Sequence, residues 1–358
     1  MRNYTPFLKM KVNEIAALKE LPADVLPKIV PFFDLPHDKD RTPAGLDKLI
    51  SDSAKKMKKI AELVPRFFVD LYDIPDSLAA TGAGAFNAVA TYFQGQDFIP
   101  VVGLDRSAAY VSSIFLNQSS GLLESKALAI RLVEEDYESY AACRNDIFDL
   151  ITNAKAAGFN EFILVLDMRI CISKSPLDLA HSLEKFIDAA IKDSRFQSIV
   201  ISGSSITAQI GEIVQTETEA LIDRIELKIF NLLGKFPKSI VGFGDYTIVS
   251  PAYSDTDFAK ELLRNVTAPK VCYSYDEFHY INRGGALKSH PRGDAQYNDI
   301  AAKLVTEPFF RAAAYSFGED FLLEKAASKG KGVTPSSILK PTICAHLTYM
   351  VRGHPLFV

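Results

Sequence analysis

The sequence predicts a (β/α)8 barrel, and three observations predict it. Eight short apolar runs each stop at a charged or small polar residue, which is where a barrel's chemistry sits. The stretches between the runs carry the apolar periodicity and the end signals of amphipathic helices. The runs themselves are apolar at nearly every position, as in residues 161–167 (Glu-Phe-Ile-Leu-Val-Leu-Asp), which suits a parallel strand buried on both faces.

In chain order the expected strands are residues 4–8, closing on Lys9 and Lys11; 28–33, closing on Asp34; 67–69, closing on Asp70; and 98–104, closing on Asp105 and Arg106. The second half continues with 127–130 before Arg131, 162–166 before Asp167, 199–201 before Ser202, and 240–243 before Gly244, Asp245 and Tyr246. Between them, Thr42-Pro43 and Ser175-Pro176 each place a capping hydroxyl before a proline at the first helical position. From 175 to 193, Ala180, Leu183, Ile187, Ala190 and Ile191 share one face, and the helix expected over 140–157 closes at Gly158. The unit after Arg106 is the weakest of the eight, with one short helix over 108–116.

At 358 residues the chain exceeds the roughly 250 of a minimal barrel, so residues 1–250 are assigned to the barrel and 251–358 to an extension packed on it. Residues 269–275 and 277–281 read as a β-hairpin, since only a short turn separates them. The hairpin leaves through Arg283-Gly284-Gly285, which is either an exit turn or a ligand-binding loop. Helices are expected over 294–305, 319–327 and 336–351.

With 48% hydrophobic and 23% charged residues, the composition is that of a globular protein able to bury a large core. A net charge of −4 argues against non-specific nucleic-acid binding through a broad basic surface. Cys143, Cys171, Cys272 and Cys344 have no CxxC spacing, and no stretch has the length of a membrane span, so a cytoplasmic protein with reduced thiols is expected. There is no phosphate-binding P-loop, GxGxxG fingerprint or GxSxG nucleophile elbow.

What remains is the set of strand ends. Asp34, Asp70, Asp167 and Asp245 close four different strands, and their carboxylates are expected to converge on the barrel mouth within reach of one divalent ion, Mg2+ or Mn2+. Lys9, Lys11, Arg106, Arg131, Arg169 and Tyr246 would surround them and hold a phosphate-containing ligand, giving a metal-dependent phosphodiesterase or nuclease. The same residues could instead neutralise one another as a salt-bridge network. His37 stands alone near a strand end, and His346 reads as a packed, hydrogen-bonded core histidine.

Several segments are similar to a known family. Residues 4–18 (Tyr-Thr-Pro-Phe-Leu-Lys-Met-Lys-Val-Asn-Glu-Ile-Ala-Ala-Leu), the strand Ile29-Val-Pro-Phe-Phe-Asp34 and Phe243-Gly-Asp-Tyr246 resemble the Beta protein family of satellite phages and bacterial mobile islands. So do Arg283-Gly-Gly285, Gln296-Tyr297, Ser316-Phe-Gly318 and Ala345-His-Leu347, although the chain lacks the tryptophan expected where Ser336 and Ser337 stand. The resemblance implies an anti-phage defence component acting beside a partner protein whose toxicity it restrains. It implies no catalytic residues.

Overall fold

The computed structural model describes residues 4–78, 84–253 and 267–357; residues 1–3, 79–83, 254–266 and 358, within the ranges assigned to barrel and extension, lie outside these. Eight parallel strands close into a barrel in the order β1 (Tyr4–Lys9), β2 (Phe32–Asp34), β3 (Arg66–Asp70), β4 (Asp97–Val102), β5 (Ala127–Leu132), β6 (Glu161–Ile170), β7 (Ser198–Ser204) and β9 (Val241–Asp245). All eight expected strands are present. Closure runs through β1, where Phe7 stands opposite Phe32 on one side and Tyr4 opposite Phe243 on the other. The second strand is shorter than its apolar run, beginning at Phe32, with a 3-10 helix over Leu26–Lys28 ahead of it.

The intervening helices are α1 (Val12–Lys19), α2 (Pro43–Lys58), α3 (Ala85–Tyr92), α4 (Ala108–Ser119), α5 (Tyr140–Ala157), α6 (Pro176–Lys192) and α7 (Ile225–Leu232). Their ends follow the expected chemistry. The Thr42 hydroxyl accepts from the Gly45 N–H at 3.1 Å, the Ser175 hydroxyl from Asp178 at 3.4 Å, and Gly158 ends α5 at φ 109°, a left-handed value that glycine adopts without steric cost. The weakest unit, α4, is capped too, by Ser107 accepting from Tyr110 N–H at 3.1 Å.

The barrel interior is filled from one side by a stack of rings. Phe7 and Phe32 lie 4.2 Å apart between centroids, and Phe32 and Phe68 5.2 Å apart. Small residues make room opposite: Ala127 and Ala129 line the interior, and a Cβ on Gly244 would sit 2.9 Å from the Phe7 ring.

Beyond the barrel, the expected hairpin is β10 (Lys270–Tyr275) with β11 (Phe278–Arg283), but it is not alone. Residues Thr218–Asp223, inside the stretch assigned to the barrel, form β8 and pair antiparallel with β11, making a three-stranded sheet. Helices α8 (Gln296–Leu304), α9 (Phe317–Ala326) and α10 (Leu339–Arg352) complete this part, with α10 packed on α1, α9 and β10. Val271, Tyr273, Tyr280, Tyr297, Ile300 and Leu322 give it a small core of its own. Among the described residues no helix is long and apolar enough to cross a membrane, and the four cysteines are buried and free.

Candidate functional site

Strand periodicity decides what reaches the mouth. Phe7, Phe32, Phe68, Ala129, Val165 and Val200 face the barrel interior, so the residues two further on face the same way at the C-terminal rim. Those are Lys9, Asp34, Asp70, Arg131, Asp167 and Ser202, and all six are buried.

Arg131 occupies the centre. Its Nη1 donates to Asp34 at 2.8 Å and to Asp70 at 2.6 Å, and its Nε and Nη2 donate to one Asp167 oxygen at 3.0 and 2.6 Å. The Tyr246 hydroxyl accepts from Nη2 at 2.6 Å and donates to that same Asp167 oxygen at 2.6 Å. The guanidinium lies 5.3 Å from the Phe32 ring centroid and 5.9 Å from that of Phe7 toward the interior, and 4.5 Å from Tyr72 in the loop after β3. Burial pushes the Asp34 carboxyl up, but Arg131, Lys9 and Arg169 outweigh it and hold the group below its ordinary value. At Asp70 burial wins over Arg106 and Arg131, with the Asp34 charge adding to it, and the carboxyl is raised.

A second ring of charge surrounds this core. Arg106 reaches both Asp70 oxygens at 3.2 and 3.3 Å. Lys9 donates to Asp73 at 3.1 Å and to the Pro251 carbonyl at 2.7 Å, and lies 3.9 Å from the Tyr253 ring centroid. Arg169 meets Asp73 at 3.7 Å. Arg106, Arg131 and Arg169 all stand within 4.7 Å of the Tyr72 ring centroid. Lys11 is exposed at the edge, 5.5 Å from Tyr253, and His37 contacts the Asp73 carbonyl through Nδ1 at 3.0 Å.

The backbone at Arg169 is itself unusual. The register of β6 against β7 shifts between Asp167 and Ile170, and Arg169 has φ 52°, a left-handed value uncommon for arginine. The Asp167 carboxylate accepts the Arg169 N–H at 2.9 Å and so stabilises the turn. The same device recurs at β9, where Thr247 has φ 58° and donates its N–H to Asp245 at 2.9 Å.

Asp245 corrects the expectation of four converging aspartates. Its strand neighbour Phe243 packs outward, between barrel and helices, so Asp245 faces outward as well and Tyr246 takes the inward place. Asp245 accepts from Arg224 at 2.7 Å and from the Tyr4 hydroxyl at 2.9 Å, and sits 3.1 Å from His346 Nε2. The other three carboxylates do converge, but on a guanidinium. Among the described residues no group of three or more His, Cys, Asp or Glu side chains is disposed to hold a metal ion.

His346 is, as expected, a packed histidine. Its Nδ1 lies 2.7 Å from the Ser274 hydroxyl, which also contacts His279 Nδ1 at 2.9 Å, so a buried polar chain runs from β1 and β9 through α10 into the hairpin. Arg283 closes β11 and donates to the Val214 carbonyl at 2.7 Å. Gly284 and Gly285 let Gln296 approach: a Cβ on Gly284 would lie 2.5 Å from Gln296 Oε1, which accepts the Gly285 N–H at 2.7 Å.

The resemblance noted in the sequence is matched by a family model, described as Beta protein, that covers residues 4–352. The chain belongs to the Beta protein family. No curated protein matches it. In this Beta protein family member the sequence reading missed Tyr72 and Asp73, which complete the mouth three and four residues beyond the last apolar residue of the third run. Their position two and three residues after the strand-end Asp70 was the available signal. Arg224 and Glu226, fully buried beneath the extension, had none: in sequence they look like ordinary charges at a helix start.

Proposed function

We propose that this protein is an anti-phage defence component that recognises a phosphate-containing ligand at the barrel mouth and acts beside a partner protein. One observation carries the binding part: the Arg131 guanidinium stands between Asp34, Asp70 and Asp167, in the place a shared metal would need. Carboxylates already ligating an arginine are poor metal ligands, so recognition is favoured over the metal-dependent phosphodiesterase or nuclease.

The mouth also retains donors for an anion. Among the described residues Arg106 Nε and Arg169 Nη1 are buried with no hydrogen-bond partner, and so is the Ser202 hydroxyl. Guanidinium groups suit phosphate oxygens, which they can engage with two parallel hydrogen bonds. The ion pair of Arg169 with Asp73 is long at 3.7 Å, and the Arg169 side chain is 22% exposed, so an incoming phosphate competes with a weak contact. The defence setting rests on the family resemblance. The extension, with its own small core and surface, supplies the face for the partner.

Calorimetric titration of the full chain with pyrophosphate, and separately with MnCl2, tests this. Pyrophosphate is expected to bind without metal, and Arg169→Gln to weaken it by about tenfold or more, the loss of one charged hydrogen bond. The same substitution in the native locus should lower protection in a phage plating assay. Tight Mn2+ binding that needs Asp167, or no response to pyrophosphate, would overturn the reading.

A further inference from the structure

The two strands of the hairpin place Lys270 directly opposite Arg283. Like charges in that position repel, and an antiparallel pair ordinarily avoids them. Among the described residues no carboxylate contributes to the pKa shift of either group. Arg283 Nη1 donates to the Val214 carbonyl, and its Nε is buried with no partner among the described residues. Both cations lie on the face of the sheet that also carries Cys272 and Ile281, the face turned toward the barrel.

There they border a cavity of about 200 Å3, walled by Ile210 and Ile248 from the loops after β7 and β9 and by Ile338 and Leu339 at the start of α10. At about 30 Å3 per water, that is room for roughly seven waters, or one organic molecule the size of benzoate. The walls and the charges ask for different halves of one molecule. A hydrated dianion such as phosphate would leave oxygens unpaired against the isoleucines, whereas a neutral apolar molecule would leave two cations uncompensated.

We propose that this cavity binds a small organic monoanion, an aromatic or branched aliphatic carboxylate, with its charge between Lys270 and Arg283 and its apolar body against Ile248, Ile338 and Leu339. The site is separate from the barrel mouth. Its walls come from barrel loops, the hairpin and α10, so an occupant ties the extension to the barrel and stabilises the folded state by mass action. Burial pushes the Lys270 amine below its ordinary value, opposed by Cys272 and helped to a lesser extent by the Arg283 charge; a bound carboxylate would relieve this.

Thermal melts of the full chain with benzoate, isovalerate and the neutral isostere benzamide test the proposal. At least one carboxylate is expected to raise Tm with concentration, benzamide is not, and Arg169→Gln at the mouth should keep the response. Lys270→Gln, which removes the repulsion, should melt at or above the wild type without ligand and weaken carboxylate binding by about tenfold or more. Should that variant fail to fold, calorimetry of the wild-type chain with benzoate against benzamide gives the same decision. No response to either carboxylate, equal response to benzamide, or an unchanged response in Lys270→Gln overturns it.

Discussion

Arg169 shows what a single side chain does at this mouth. Its left-handed backbone follows from the irregularity in β6, and glycine would adopt it more readily. Arg169→Gly should therefore hold or raise Tm, by an amount equivalent to about 1 kcal/mol at most, while pyrophosphate affinity falls; a melt and a titration of one variant check both. Tyr246 is a different case. Removing its hydroxyl in Tyr246→Phe leaves Arg131 and Asp167 each short of a buried partner, and denaturant unfolding should show a loss of about 1 to 3 kcal/mol. The strand-end acids were legible in the sequence because each closes an apolar run. Which way they face was not. A parallel strand buried on both sides is apolar on both, so Phe243-Gly-Asp-Tyr246 contains no alternation to say that Asp245 points out and Tyr246 in.

The elements of the barrel were readable for the same reason that the direction of their side chains was not. Apolar runs, the Thr42 and Ser175 caps and Gly158 are local signals, and each appears where local chemistry requires it. The strand β8 carries no such signal. Its residues are mostly exposed, it lies at the edge of its sheet, and Thr-Glu-Ala-Leu-Ile-Asp is too short and too mixed to stand out between two barrel strands. The Arg-Gly-Gly exit was legible as a turn, but its partner, Gln296, was not. Gly284→Ala would push a methyl to 2.5 Å from Gln296 Oε1 and 2.8 Å from Pro269, so unfolding measurements should show a destabilisation of about 1 to 3 kcal/mol.

Across the whole molecule, barrel and extension are joined by buried polar groups whose charge depends on pH. His279 and His346 lie between Arg224, Glu226 and Asp245, and burial holds both imidazoles below their ordinary value. His354, two residues beyond α10, is lowered by burial to about 4. A histidine that is harder to protonate in the fold than in the unfolded chain contributes stability in full above about pH 6.5, and loses it as pH falls toward 4. Glu14 runs the other way. Burial raises its carboxyl to about 7, so its contribution is complete below about pH 4.5 and disappears as pH rises through 7. Tm is therefore expected to fall between pH 6.5 and 4, and His354→Phe should flatten that slope; a histidine variant with the wild-type slope would locate the acid sensitivity elsewhere.

The central claim is that the strand-end acids belong to Arg131, and thermal melts of Asp34→Asn and Asp167→Asn with and without MnCl2 test it most directly. Each substitution removes one carboxylate charge from a buried guanidinium, so both variants should lose on the order of 3 kcal/mol, and Mn2+ should leave variants and wild type unmoved. Variants as stable as the wild type or more so, together with a wild-type Tm that climbs with Mn2+, would show carboxylates that repel one another when empty and would return the mouth to metal chemistry.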